Sequence, residues 1–157
     1  MKPKVYLETS VISYLTSRPS RDLIVAGHQQ TTQDWWAERR HAFHLVASQL
    51  VMNEASSGDV EAAKARLEVL ASVELLEARE DGHELAVALV ADGPIPTVAA
   101  EDALHIAIAV THGVEYLLTW NCKHIANASM RSSIDRICRR HGYEPTILCT
   151  PEELLED

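Results

Sequence analysis

Short apolar segments alternate with longer segments of helical periodicity along the whole chain. Strands are predicted at residues 4–7, 42–47, 74–78, 115–119 and 146–149. Helices are predicted from residue 10 to a break at 17–20, and over 22–40, 49–56, 59–71, 80–90, 98–112 and 130–141. Such alternation favours an α/β fold, in which helices cover both faces of a mainly parallel sheet of four to five strands.

Capping residues mark the ends of these helices. Asp22, Ser48 and Asp59 are predicted N-caps, because their short polar side chains accept hydrogen bonds from free helix N–H groups. Glycines at 58, 113 and 142 are placed to end helices. Residues 150–153 (Thr-Pro-Glu-Glu) form a predicted capping box. No repeat or linker interrupts the pattern, so residues 1–157 are predicted to form one three-layer α/β/α domain.

Charge and cysteine content narrow the function classes. The formal net charge is −9, with 23 acidic against 14 basic residues, which argues against broad non-specific nucleic-acid binding. Metal ions in an acidic site would still recruit phosphates, and Arg18, Arg21, Lys123 and Arg131 are candidates for local positive charge. No membrane span or signal peptide is predicted, and three cysteines fit a reduced protein, so a cytoplasmic location is expected.

Two predicted strands end at polar side chains. The first is followed by Glu8, Thr9 and Ser10, and the strand at 115–119 ends at Thr119 and is followed by Trp120 and Asn121. Ligands of open α/β sheets bind outside the carboxyl ends of the strands, so both positions are candidate site residues. Alternatively, Glu8 lies at a helix start where Thr9 or Ser10 is the cap, and Asn121 is a turn residue.

Two further acids lie on predicted helices. The 3.6-residue period places Val98, Asp102, Ile106 and Ala109 on one apolar face, whereas Glu101, His105 and His112 share a face that is predicted to be solvated. Glu54 follows Leu50 and Val51 by four and three residues, and so joins an apolar face. A buried carboxylate is costly unless it is paired or coordinated. The alternatives are a salt bridge for Asp102 and an exposed helix end for Glu54.

Other possible sites are less well supported. The pairs Cys138/His141 and Cys122/His124 do not form a recognised four-ligand zinc spacing. The arginines at 136, 139 and 140 are interpreted as a solvated helix face, and Trp35 and Trp36 as residues of a core or an oligomer interface. Oxygen ligands from Glu8, Glu54, Asp102 and Asn121 instead suggest a hard metal ion.

Four segments together resemble PIN domains, and most closely the stand-alone VapC-type toxins of toxin–antitoxin pairs. They are the segments at 6–13 (YLETSVIS), 53–55 (NEA), 102–107 (DALHIA) and 117–121 (LLTWN), which agree with the family in order, spacing and context. The resemblance implies a PIN-like (Rossmann-like) fold. Two positions depart from the family pattern: Glu8 and Asn121 stand where Asp is usual.

The resemblance also implies a Mg²⁺- or Mn²⁺-dependent endoribonuclease. Its metal ligands and catalytic residues would be Glu8, Glu54, Asp102 and Asn121. Thr9, Ser10 and Thr119 would hold the carboxylates. An RNA substrate, a cognate antitoxin protein and a homodimer are implied in the same way.

Other function classes remain open. One is a degenerate PIN-like domain that binds a partner or RNA and cleaves nothing, because Glu8 and Asn121 depart from the family pattern. A phosphatase that uses the carboxylate after the first strand as nucleophile is a second, although that chemistry usually has paired Asp residues there. A dinucleotide-binding protein is not expected, because no Gly-x-Gly-x-x-Gly follows the first strand.

Overall fold

A five-stranded, all-parallel sheet forms the centre of the protein. The structure is a computed structural model that describes residues 1–156. The strands are β1 (Lys4–Leu7), β2 (His44–Ser48), β3 (Glu74–Leu76), β4 (Tyr116–Leu118) and β5 (Ile147–Cys149). Their order across the sheet is β3-β2-β1-β4-β5. Since β1 pairs with β2 on one side and β4 on the other, the order reverses at β1, and such a switch point creates a crevice at the carboxyl ends.

Within residues 1–156, seven helices flank the sheet. They are α1 (Thr9–Thr16), α2 (Leu23–Arg39), α3 (Gln49–Ala55), α4 (Val60–Leu70), α5 (Glu80–Ala91), α6 (Ala100–Thr111) and α7 (Ala128–Arg140). Helix α1 packs against α2, α3 and α4, whereas α5 packs against α6 and α7. The predicted α/β fold with a parallel central sheet is therefore confirmed.

The predicted helix ends are present. Side chains of Asp22, Ser48 and Asp59 accept hydrogen bonds from backbone N–H groups in the first turns of α2, α3 and α4. Gly58, Gly113 and Gly142 have φ between 68° and 88°, a conformation that side chains with a Cβ rarely adopt. The capping box at Thr150 is formed and starts a 3₁₀ turn at Pro151–Leu154. Local sequence therefore sets where these helices begin and end.

Several element boundaries differ from the predictions. The second strand begins at His44 and not at 42, because Arg40–Ala42 forms a 3₁₀ turn. Strands β3 and β4 are three residues long, shorter than predicted. The sixth helix begins at Ala100, because Thr97–Ala99 forms another 3₁₀ turn. The ends of the strands depend on pairing with neighbouring strands, which periodicity does not report.

The core lies between the sheet and its helices. Trp35 is fully buried against this core, and Trp36 is half-buried beside it, which supports the core interpretation of this pair. Gly93, after α5, lies where a Cβ would be 2.5 Å from the Leu89 carbonyl oxygen and 2.6 Å from Ile137 Cδ1. Only glycine fits this junction of α5 and α7 without displacing a neighbour. Within residues 1–156, no helix has the length and apolar character needed to cross a membrane.

Candidate metal centre

The site is built where β1 and β4 end side by side. Leu7 pairs with Leu118, so Glu8 and Thr119 each follow a strand at the same edge of the sheet. The Glu8 N–H donates to the Leu118 carbonyl oxygen at 3.1 Å and extends the pairing by one residue. Parallel pairing thus brings together two residues that are 111 positions apart.

Glu8 is a buried carboxylate held by hydroxyl groups. Glu8 is only 6% exposed. Its Oε1 accepts hydrogen bonds from Ser10 Oγ at 2.5 Å and from Thr119 Oγ1 at 2.6 Å. Ser10 Oγ also accepts the Trp120 N–H at 2.8 Å, which ties the loop after β4 to α1. Among residues 1–156, Glu8 forms no ion pair. A buried carboxylate without a cation is costly, so this position favours binding of a positive ion.

Glu54, on α3, places a second carboxylate close to the first. Its Oε1 accepts from Thr9 Oγ1 at 2.5 Å and from His105 Nε2 at 2.8 Å. Burial acts to raise the pKa of Glu54, but the hydrogen bonds that His105 and Thr9 donate to it favour the ionised form, and the pKa is lowered. Glu54 is therefore held in its ionised form.

Glu101, at the start of α6, adds an acidic group that the sequence did not identify. Its hydrogen bond to Glu54 and the charge of that carboxylate raise the pKa of Glu101. A cation bound beside both carboxylates would favour the ionised form of Glu101. Glu101 had been predicted to be solvated and is exposed, but it borders the site.

Asp102 and Asn121 meet at a different residue, His124. Asp102 Oδ2 lies 3.1 Å from His124 Nδ1, and Asn121 Oδ1 accepts the His124 N–H at 3.0 Å. Asn121 connects to the first carboxylate through Thr119, whose Oγ1 accepts the Asn121 N–H at 2.9 Å. The structure therefore places Glu8 with Glu54 in one cluster and Asp102 with Asn121 in a second, joined by hydrogen bonds.

The donor set fits a divalent cation. Glu8, Glu54 and His105 each present one ligand atom, and these atoms lie within 4.8 Å of one another. Carboxylate oxygens are the preferred ligands of Mg²⁺ and Mn²⁺. His105 Nε2 faces a carboxylate oxygen that can only accept, so in this arrangement it supports Glu54 as a donor. Within residues 1–156, the Cys/His pairs at 122/124 and 138/141 do not form such a group.

The predicted face pattern of α6 is wrong at both edges. Val98 was placed on the apolar face but lies outside the helix and is 94% exposed, whereas His105, predicted to be solvated, is fully buried. Residues 105–110 are all buried, so the middle of this helix has no single apolar stripe. The missed signal for His105 is its position inside an apolar run, where a buried polar side chain needs partners.

The predicted basic residues do not form one group. Arg18, Arg21 and Lys123 are exposed, and Arg131 Nη2 donates to the Leu148 carbonyl oxygen on β5 at 3.0 Å. Arg131 thus contacts the edge strand, whereas no hydrogen bond in residues 1–156 joins the other three side chains to the site carboxylates.

Solved structures of toxin–antitoxin proteins share this fold. VapC20 of Mycobacterium tuberculosis, a toxin that cleaves the sarcin–ricin loop, is 16% identical, with a TM-score of 0.57 over 76% of this chain and 91% of the other. A chain of VapBC2 from Rickettsia felis, solved bound to a DNA fragment from its promoter, is 18% identical, with a TM-score of 0.54 over 76% and 89%.

No protein-family model matches the sequence. No curated protein matches it either. At these identities the likeness shows the fold, and it confirms the PIN-like α/β architecture that the four sequence segments predicted.

Proposed function

We propose that this protein is a Mg²⁺- or Mn²⁺-dependent endoribonuclease of the VapC toxin type. The observation that carries the proposal is the buried Glu8 carboxylate, which has no cation partner among residues 1–156 and lies beside the ionised Glu54. The fold that it shares with VapC20, a sarcin–ricin loop cleaving toxin, supports the same reading. An RNA substrate, a cognate antitoxin, a homodimer and a cytoplasmic location are parts of this proposal.

Glu8, Glu54, Asp102 and Asn121 are the proposed ligands, directly or through water. When bound, a divalent ion would supply an oriented water of lowered pKa and charge stabilisation at the scissile phosphate. The chain's own hydroxyl groups hold the carboxylates: Ser10 and Thr119 restrain Oε1 of Glu8, and Thr9 restrains Oε1 of Glu54. Such restraint reduces the reorganisation that binding requires.

Cleavage of total RNA by the purified protein tests the proposal. Discrete fragments are expected with Mg²⁺ or Mn²⁺, and none with EDTA or with the Asp102→Asn variant. Glu61→Gln is the matched control, because Glu61 is an exposed acid on α4, and this variant should cleave as the wild type does. A folded Asp102→Asn protein with full activity would exclude the assignment of Asp102.

A binding-only PIN-like domain is the second candidate. It is favoured by the engagement of Asp102 and Asn121 with His124, since both side chains already have structural partners. An absence of Mn²⁺ binding by calorimetry, together with an absence of cleavage, would favour this candidate. Restoration of cleavage by Asn121→Asp would instead show that the missing charge limits an otherwise complete site.

A further inference from the structure

A buried chain of hydrogen bonds leads from the end of β2 to Glu54. Ser48 Oγ lies 2.7 Å from Tyr6 Oη, which lies 2.7 Å from His105 Nδ1, and His105 Nε2 lies 2.8 Å from Glu54 Oε1. Tyr6 and His105 are fully buried, and Ser48 is 1% exposed. These hydrogen bonds join β1, β2, α3 and α6, and of the four residues only His105 and Glu54 lie at the site.

The number of available hydrogens allows only one donor-to-acceptor direction along this series of hydrogen bonds, from Ser48 to Glu54. Ser48 Oγ accepts the Val51 N–H at 3.3 Å, and in residues 1–156 the only acceptor for its own hydrogen is Tyr6 Oη. The Tyr6 hydrogen must then go to His105 Nδ1. The His105 proton is left on Nε2, which donates to Glu54. In the opposite direction, the buried Ser48 hydrogen would have no acceptor, which is costly.

We infer that Tyr6 and Ser48 are positioning residues for Glu54, acting through His105. The inference rests on the proposed metal site. His105 and Thr9 donate to the same oxygen of Glu54, Oε1, so the carboxylate is held in one orientation. His105 can donate there because the Tyr6 hydroxyl donates a hydrogen bond to Nδ1 and so favours the tautomer with its proton on Nε2. Tyr6 therefore contributes to metal affinity without contacting the metal.

Removal of the Tyr6 hydroxyl separates this role from simple packing. The Tyr6 and His105 rings also pack edge to face, with centroids 5.8 Å apart, and Tyr6→Phe keeps that contact. Loss of an outer-shell hydrogen-bond partner typically weakens metal affinity about 10- to 100-fold. We expect a loss of that size for Mn²⁺ binding by Tyr6→Phe, measured by calorimetry.

Thr146→Val is the matched control. Thr146 is 4% exposed and donates to the Val114 carbonyl oxygen at 2.8 Å, without any hydrogen bond to the site. Thr146→Val removes a buried hydroxyl group, as Tyr6→Phe does. We expect the Mn²⁺ affinity of Thr146→Val to equal that of the wild type. An equal loss in both variants would show that general destabilisation, and not positioning, weakens binding.

A double-mutant cycle provides the decisive test. In His105→Gln, the side-chain amide can donate to Glu54 without help from Tyr6. Tyr6→Phe is therefore expected to cost about 10- to 100-fold in affinity in the wild-type background and little in the His105→Gln background. Equal costs in both backgrounds would overturn the inference.

Nitrogen-15 NMR of the metal-free wild type gives a readout that needs no variant. We expect the His105 proton on Nε2, and a proton on Nδ1 with Nε2 bare would overturn the inference even if Tyr6→Phe failed to fold. If the wild type binds no Mn²⁺, the proposed function fails and the inference fails with it. If the wild type binds Mn²⁺ and Tyr6→Phe binds it equally well, only the inference fails.

Discussion

Glu8→Gln isolates the charge of the buried carboxylate. The substitution preserves the side-chain shape and leaves an oxygen that can accept from Ser10 and Thr119, while it removes the negative charge that favours a cation. Hydrogen bonds to a charged acceptor contribute about 1.5–3 kcal/mol, against about 0.5–1.5 for neutral pairs, so the two bonds lose about 2–3 kcal/mol in total. Relief of carboxylate desolvation returns several kcal/mol.

These energies predict that the stability of Glu8→Gln relative to the wild type differs in sign with and without metal. In EDTA, the Glu8→Gln protein should unfold at the wild-type temperature or above it. At a Mn²⁺ concentration of about 100 times Kd, binding stabilises the wild type by about 2.7 kcal/mol, which corresponds to a rise in Tm of about 5–11 °C for a domain of this size. The variant should lose most of this rise, because one ligand charge is gone.

Thermal unfolding followed by circular dichroism, with and without Mn²⁺, measures both effects. Glu61→Gln, which removes an exposed acid on α4, serves as the charge control and should respond to Mn²⁺ as the wild type does. Equal Mn²⁺-induced rises for wild type and Glu8→Gln would refute Glu8 as a ligand. A Glu8→Gln protein much less stable than the wild type in EDTA would refute the argument from desolvation.

Three further outcomes are expected. Gly93→Ala should destabilise the protein by about 1–3 kcal/mol in urea unfolding, because its Cβ would lie too close to Leu89 and Ile137. Gly27→Ala, in open space on α2, should be neutral or stabilising. Equal changes in the free energy of unfolding for both variants would contradict the close contacts at Gly93. Because the folded-state pKa of Glu54 is lowered, its stabilisation is present above its unfolded pKa, about 4.3, and is lost as pH falls through the lowered value. The Tm of Glu54→Gln in EDTA should therefore fall less than that of the wild type on acidification, and parallel curves would contradict this. Iodoacetamide should label exposed Cys122 in the native protein. It should label Cys149 only after unfolding, because this residue is buried and burial raises its pKa to about 12. Mass spectrometry of the labelled peptides distinguishes the two cysteines.

Much of the fold follows from local sequence. Caps at Asp22, Ser48 and Asp59 and glycines at helix ends act over a few residues, so they are readable without tertiary information. Alternation of strands and helices predicted the parallel sheet, because parallel strands are joined by crossover connections that usually contain a helix. The ends of short strands could not be predicted, since partner strands decide them.

Candidate site residues were predictable by type and position in their elements, but not by their contacts. Glu8 stands out because a carboxylate follows an apolar strand, and Glu54 because a carboxylate joins an apolar face. The sequence could not show that Thr119 donates to Glu8 or that Thr9 donates to Glu54, because strand order and helix packing create these contacts.

The support behind the carboxylates was decided by tertiary structure alone. His105 was assigned to a solvated face, yet it is fully buried and joins Tyr6 to Glu54 across three separate elements. A periodic pattern reports which side of a helix is apolar, not which polar side chain finds partners inside the core. The sequence by itself therefore determined the fold class and the acidic candidates. Their grouping, their hydrogen-bond partners and the buried chain that holds Glu54 were decided by packing, because only packing brings residues up to 111 positions apart into contact.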